Sequence, residues 1–298
     1  MANNYEILQG NITHNRRLSA RKIYVICSEV RVCKNVRLII EDGATLLIQN
    51  GKWPKAHLLR AALIFDQGSI LRAQRFTIKA CDSDFRQVKT ADNGGIWFLG
   101  NYQTASKDKL SVKLNRKNPL SSFKAEIISS YYLGRRDPLK ETTRTKVADD
   151  DIDGFSVLGI GPNEWQISEV RSFYSGDDGF DLTNSHIKLD RLRVVAPTED
   201  GINLNSSRLE IRRSLTVDVS KTDYTDRDVF DFEIDNGACY LEIAQHCHVN
   251  LKGIFGDEVV LSSQDLPKIP KNLERSYRFK GVSRKAASLI YSINLDWM

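Results

Sequence analysis

The most concentrated chemistry in the sequence is a doubled carboxylate, Asp177-Asp178, within Phe173-Tyr-Ser-Gly-Asp-Asp-Gly-Phe-Asp-Leu182. Two carboxyl groups held together repel, so one keeps its proton, which is the condition for general acid–base work. Single carboxylates recur in similar settings at Asp153 and Asp200. These four are the candidate catalytic residues. Inverting glycoside hydrolysis needs two carboxyl groups roughly 6.5–9.5 Å apart, a spacing that such a series can supply. The same oxygens suit Ca²⁺, which takes several carboxylate and carbonyl ligands. No other cofactor and no dedicated metal centre is expected. His246-Cys-His248 puts two imidazoles on one strand face, but no third ligand lies within sequence reach.

A plainer role competes with catalysis. Asp before Gly is a turn signal, because the Asp side chain bonds nearby amides and Gly accepts a left-handed conformation. One Asp suffices for such a turn, so the doubling at Asp177-Asp178 is what turn chemistry leaves unexplained.

The elements that must carry these residues follow from their recurrence. Asp153-Gly-Phe-Ser-Val157, Asp178-Gly-Phe-Asp-Leu182 and Asp200-Gly-Ile-Asn-Leu204 share one form at offsets of 25 and 22 residues. Asp228-Val-Phe-Asp-Phe-Glu-Ile234 reads as a degenerate fourth copy and Gly256-Asp-Glu-Val-Val-Leu261 as a fifth. A fixed period of this length marks a solenoid. Each period reads as turn, strand, turn, strand, with no helical stripe between, which predicts an all-β, single-stranded, right-handed parallel β-helix. Strand side chains alternate, so if Phe180 and Leu182 face the core, Asp181 faces out. The same register puts Ser156, Asn203, Asp231 and Val260 outward in one column, with rungs about 4.8 Å apart. Asp181, Asn203 and Asp231 are therefore candidate ligand-binding residues.

Residues 1–22 read as an N-terminal cap and 23–266 as the β-helix, with loops inserted at about 101–122 and 134–150. Residues 267–298 read as a C-terminal cap or tail, with a short helix expected over 272–292. No run of 18 apolar residues occurs, so no membrane span is expected. The first residues lack the basic and apolar regions of a signal peptide. That predicts a cytoplasmic chain, unless the sequence is a mature or truncated form. Five cysteines without metal-type spacing are expected to be reduced and mostly buried.

Charge is divided along the chain. Residues 1–146 hold 26 Lys+Arg against 12 Asp+Glu, whereas 147–260 hold 10 against 23. The basic residues are scattered singly, without a dense run or an aromatic-interleaved platform, which argues against nucleic acid as a partner. A polysaccharide or another macromolecule is the expected partner, and the oligomeric state is left open.

Several of these segments, taken together, resemble a family. Gly10-Asn-Ile-Thr13, Ile23-Tyr-Val-Ile26, Glu41-Asp-Gly-Ala-Thr-Leu-Leu-Ile48, Gly94-Gly-Ile-Trp-Phe-Leu-Gly100, Ile152 to Gly161 and Tyr174 to Asp181 are similar to bacterial pectin-lyase-like β-helix proteins. The resemblance spans roughly residues 10–260 and implies the parallel β-helix fold. Polygalacturonase-type hydrolases share that superfamily. Asp153-Gly154 matches part of their first motif and Gly176-Asp-Asp178 their acid pair. Thr198-Glu-Asp-Gly201 stands where their His motif would fall, and no Arg-Ile-Lys follows. The expected function is recognition of a glycan or other macromolecule along the solenoid face, without polygalacturonase activity. The alternative is a polysaccharide-degrading enzyme, hydrolase before lyase, that uses the Asp-rich coils.

Overall fold

Alternating short strands separated by tight corners leave each coil only one way to satisfy its backbone, which is to pair with the coils before and after it. In the computed structural model this is what the chain does. The structure describes residues 5–51, 61–101, 119–135, 152–220, 228–233, 239–244, 247–252 and 288–291. Among them there is no helix, and the named strands pair in parallel within one sheet.

The coils follow in order. The first is β1 (Tyr5–Ile12) and β2 (Arg16–Leu18), and the second is β3 (Ile23–Val32) and β4 (Arg37–Ile40). The third is β5 (Ala44–Gln49), β6 (Ala62–Phe65) and β7 (Ile70–Ala73). Next come β8 (Arg75–Cys81), β9 (Ile96–Leu99) and β10 (Ser122–Tyr131). From β10 onward a long strand bends from the end of one coil into the start of the next. The series is β11 (Phe155–Leu158), β12 (Trp165–Phe173), β13 (Asp181–Thr183), β14 (His186–Val195), β15 (Ile202–Asn205) and β16 (Arg208–Asp218). It closes with β17 (Phe230–Glu233), β18 (Cys239–Ile243), β19 (His248–Lys252) and β20 (Ser288–Tyr291).

The register gives the coil three faces. The first contains β5, β8 and the later parts of β10, β12, β14 and β16. The second is the file β6, β9, β11, β13, β15, β17. The third contains β4, β7 and the early parts of β10, β12, β14 and β16. The predicted parallel β-helix is thus the fold.

Inward side chains stack as the alternation requires. Phe65, Phe98, Phe155 and Phe180 form a fully buried ladder along the second face, with ring centroids 5.0, 5.5 and 5.5 Å apart. Phe123 and Trp165 meet Phe98 edge-on from the third face. Aromatic pairs in these arrangements add about 1 kcal/mol each beyond their buried area.

At the N-terminal end, residues 5–18 lie within the expected cap and form the first coil, where β1 pairs with β3 and β2 with β4. The C-terminal end departs from expectation. Within 272–292 the described residues 288–291 are strand rather than helix. Cys239, Tyr240, Leu241 and Glu242 of β18 pair with them in register, and an open strand edge recruits backbone more strongly than local helix preference. The rest of 267–298 lies outside the described residues, as do 102–118 and 136–150 of the two expected loops. The strand expected after the first loop is β10, which starts at Ser122.

The corner from first to second face corrects the role expected of glycine. Gly154, Gly179 and Gly201 do not take the left-handed conformation. That falls to Tyr132, Tyr174 and Ala196, at φ 57°, 57° and 51°. The glycines are required by crowding. A Cβ on Gly179 would stand 2.1 Å from Val194 Cγ1, and one on Gly201 2.3 Å from Val217 Cγ1.

Candidate functional site

That corner stacks the candidate acids. Ser156, Asp181, Asn203 and Asp231 are register partners on successive rungs of the second face. Asp153, Asp178, Asp200 and Asp228 each stand three residues earlier, so they occupy equivalent corner positions. The two columns touch, as the Ser156 hydroxyl lies 3.5 Å from Asp153 Oδ2.

Side chains in the corner column reach from coil to coil. The Asp200 amide donates to Asp178 Oδ1 at 3.0 Å, and the Asp228 amide donates to Asp200 Oδ1. Each carboxylate therefore satisfies a backbone donor of the following coil, a structural duty that accounts for the second aspartate of the doublet. Asp177 has a different position. One oxygen each from Asp177, Asp178 and Glu199 lie within 4.8 Å of one another. That is tighter than the roughly 6.5–9.5 Å of an inverting acid–base pair.

Electrostatics follow from the crowding. Burial holds the Asp178 carboxyl well above the usual carboxylate range, and the charges of Asp153, Glu199 and Asp231 add to the shift. Burial, then the Asp178 charge, pushes Asp200 up to about 9, against the opposing hydrogen bond from the Asp228 amide. The charges acting most strongly on these two are all carboxylates.

The outward column is where expectation predicted it, but outward does not mean open. Asp181, Asn203 and Asp231 are 6, 7 and 9 % exposed, and Asp177 and Asp178 are 3 and 6 %. Asp153, Glu199 and Asp200 are partly exposed. Alternation fixes only which side of the sheet a residue takes, not whether a further layer lies over it. On the earlier rungs such a layer is visible: Ile152 packs with Ile64, Trp97, Leu99 and Leu158 on the outer side of the second face. An antiparallel bridge between Arg135 and Ile152 brings it there. Val260 and His246 lie outside the described residues. Compared with family models, curated proteins and solved structures, the chain matches none.

Two further sets of residues adjoin the candidate acids. One is Glu199, since Glu199-Asp200 repeats the Asp177-Asp178 doublet one coil later, and that doubling is its signal. The other set is an aromatic corner directly before the acids. Tyr132 and Tyr174 stack at 4.8 Å and 9° between planes, and Tyr131 stacks on Phe173 at 4.7 Å and 13°. Lys79 stands over Tyr131 and Arg193 over Phe173, at 5.5 and 5.3 Å from the ring centroids. The signal is the repeated pair Tyr131-Tyr132 and Phe173-Tyr174 at the ends of equivalent strands, 42 residues apart because one period holds an insertion.

Proposed function

We propose that this chain is a glycan-recognising β-helix whose sugar contact is the aromatic corner at Tyr132 and Tyr174. The observation that carries the reading is the ring of Tyr174. It is 38 % exposed, one of few large hydrophobic side chains in such a position among the described residues. Tyr132 covers one of its faces, and the next rung offers only the methyl of Ala196 at the equivalent place. A pyranose ring presents C–H groups that pack on an aromatic face, and the phenol and the nearby Arg193 supply polar contacts. Both tyrosines hold a left-handed backbone that costs a residue with a side chain about 1 kcal/mol. Glycine would fill that corner without strain, so retention of two stacked rings fits a role for their surface.

The second reading is a polysaccharide hydrolase using Asp177 and Asp178 with Asp153 or Asp200. The raised pKa values of Asp178 and Asp200 favour it, because a general acid must keep its proton near neutral pH. The depth of Asp177 and Asp178 weighs against it, since an acid must reach the glycosidic oxygen of a bulky chain.

Binding to a panel of neutral and uronic-acid polysaccharides tests both. Tyr174→Gly removes the ring while easing the backbone, and it is expected to weaken binding roughly tenfold or more. Undiminished binding by that variant, or no binding by the parent protein, overturns the recognition reading. Release of reducing ends by the parent that Asp178→Asn abolishes would instead establish the hydrolase.

A further inference from the structure

The three faces of the early coils differ in what covers them. On the first, the outward side chains of Val25, Leu47 and Cys81 are buried and pack with Phe85. On the second, Ile64 and Trp97 are buried and pack with Ile152. On the third, the outward positions meet solvent. Arg37 and Lys124 are exposed, and Ile39, Ile70 and Arg72 are partly exposed. Register sets Arg37 beside Ile70, Ile39 beside Arg72 and Arg72 beside Lys124. The strands β4, β7 and β10 therefore each carry one outward cation, on rungs about 4.8 Å apart.

The charges on this face are not balanced as they are elsewhere in the same coils, where Arg16 meets Glu6, Arg31 meets Asp66 and Arg75 meets Asp42. Among the described residues Arg37 and Lys124 have no carboxylate partner. Arg72 bonds only neutral oxygens, the Leu71 and Ser122 carbonyls at 2.7 and 2.8 Å and the Ser122 hydroxyl at 3.0 Å. Burial, and then the Arg37 charge, hold its guanidinium below the ordinary range, so the cations of this face act on one another. Glu41 and Glu126 flank the face at its corners, where Glu41 takes Arg17 and Glu126 acts on Arg75. Water can carry exposed cations, so the imbalance alone names no ligand. The apolar groups among them narrow the choice. Ile39 and Ile70 alternate with the cations, and Leu120, 60 % exposed, stands just before β10 beside Pro119, which lies against Gly68 at the entry to β7. A soluble polyanion gains nothing from exposed isoleucine and leucine. The interface of a bilayer accepts such side chains, and its anionic headgroups attract Lys and Arg.

We infer that the third face of the early coils docks on an anionic lipid surface, with Arg37, Arg72 and Lys124 on the headgroups and Ile39, Ile70 and Leu120 against the apolar boundary. The Arg72 guanidinium is already held in place by its neighbours, so its engagement costs little side-chain entropy. A sheet face with one cation on each of three rungs meets a planar array of headgroups without rearrangement of the backbone. In a coil of three faces, the corner between the first and second lies opposite the third. Docking in this way leaves Tyr132 and Tyr174 turned away from the lipid, and the proposal stands whether or not that corner binds sugar.

The test is co-sedimentation of the whole chain with vesicles of phosphatidylcholine alone and of phosphatidylcholine and phosphatidylglycerol in equal parts. Binding to the mixed vesicles is expected to exceed that to phosphatidylcholine by about tenfold or more, and to fall as salt rises from low to physiological. Arg37→Gln and Lys124→Gln should each weaken it about fivefold. Arg86→Gln removes a highly exposed cation from the turn after β8, off the third face, and should leave binding unchanged. Leu120→Ser should weaken vesicle binding while leaving any binding to soluble polyphosphate as it was. All four positions are exposed, and an unchanged β-sheet spectrum confirms that each variant folds. No binding of the parent to the mixed vesicles would overturn the proposal. So would an equal loss in Arg86→Gln, which would mean that net charge alone acts. Vesicle binding undiminished in Leu120→Ser would overturn it as well, in favour of a soluble polyanion.

Discussion

The first coils and the later corner place their carboxylates in opposite surroundings, partly exposed beside cations in the one and buried among other carboxylates in the other. In the first, carboxylates on one rung meet cations on another. Glu41 takes the Arg17 guanidinium, and Asp42 takes Arg75 through two hydrogen bonds. The carboxyl of Glu6 is accordingly held below its ordinary range by Lys22 and Arg16, that of Glu41 by the Ala20 amide and then Arg17, and that of Asp42 by Arg75. In the later coils the corner acids stack on one another, and burial lifts Asp178 and Asp200 instead. One backbone repeat therefore carries two arrangements of charge. The first keeps its carboxylates charged beside cations, and the second holds Asp178 and Asp200 towards their protonated form.

Substitutions can break or sharpen that contrast. The largest effect is expected at the crowded corner. Gly179→Ala would drive a methyl to 2.1 Å from Val194 Cγ1, whereas a methyl added at Gly51 would meet nothing within 4 Å. Urea unfolding should show Gly179→Ala losing more than about 3 kcal/mol and Gly51→Ala almost nothing. Similar losses in both would mean that the acidic corner is not the tightly packed one. Next come two isosteric charge removals, with opposite signs. Asp200 has a folded pKa of about 9 against an ordinary value of 3.8. A group raised in this way is most favourable to folding below its unfolded pKa, and that advantage fades as pH climbs from about 4 towards 9. At pH 7, Asp200→Asn keeps an acceptor for the Asp228 amide and drops the cost, for a gain of about 1–2 kcal/mol. Asp66→Asn removes one of the two carboxylates on Arg31, Glu29 being the other, and should lose about 1 kcal/mol. Equal signs would erase the distinction between the two halves. The smallest effect is expected at Glu210, where His186 and Lys188 form a partly exposed network that solvent screens. Glu210→Gln should change stability by no more than about 0.5 kcal/mol in the same urea titration.

The sequence made the solenoid legible because its evidence is periodic. Asp-Gly-apolar-polar-apolar, repeated, names the corner, the strand and the inward side at once, and Phe155, Phe180, Leu182 and Leu204 are buried as that pattern requires. What stayed hidden depends on neighbours from other coils. Nothing local distinguishes a glycine that bends the chain from one that yields space to Val194, and the left-handed corner residues are tyrosines and an alanine, types that do not announce such a conformation. The convergence of Glu199 on Asp177 and Asp178 needs the rung offset, which turn lengths set and periodicity alone does not. The outward column was placed correctly at Asp181, Asn203 and Asp231, yet its burial depends on a layer that alternation cannot foresee.

The hydrogen bonds from the Asp200 amide to Asp178 and from the Asp228 amide to Asp200 all point the same way along the solenoid. Each carboxylate serves the coil that is synthesised after it. The corner acids therefore fasten this part of the solenoid in one direction along the chain, each coil holding the backbone of its successor.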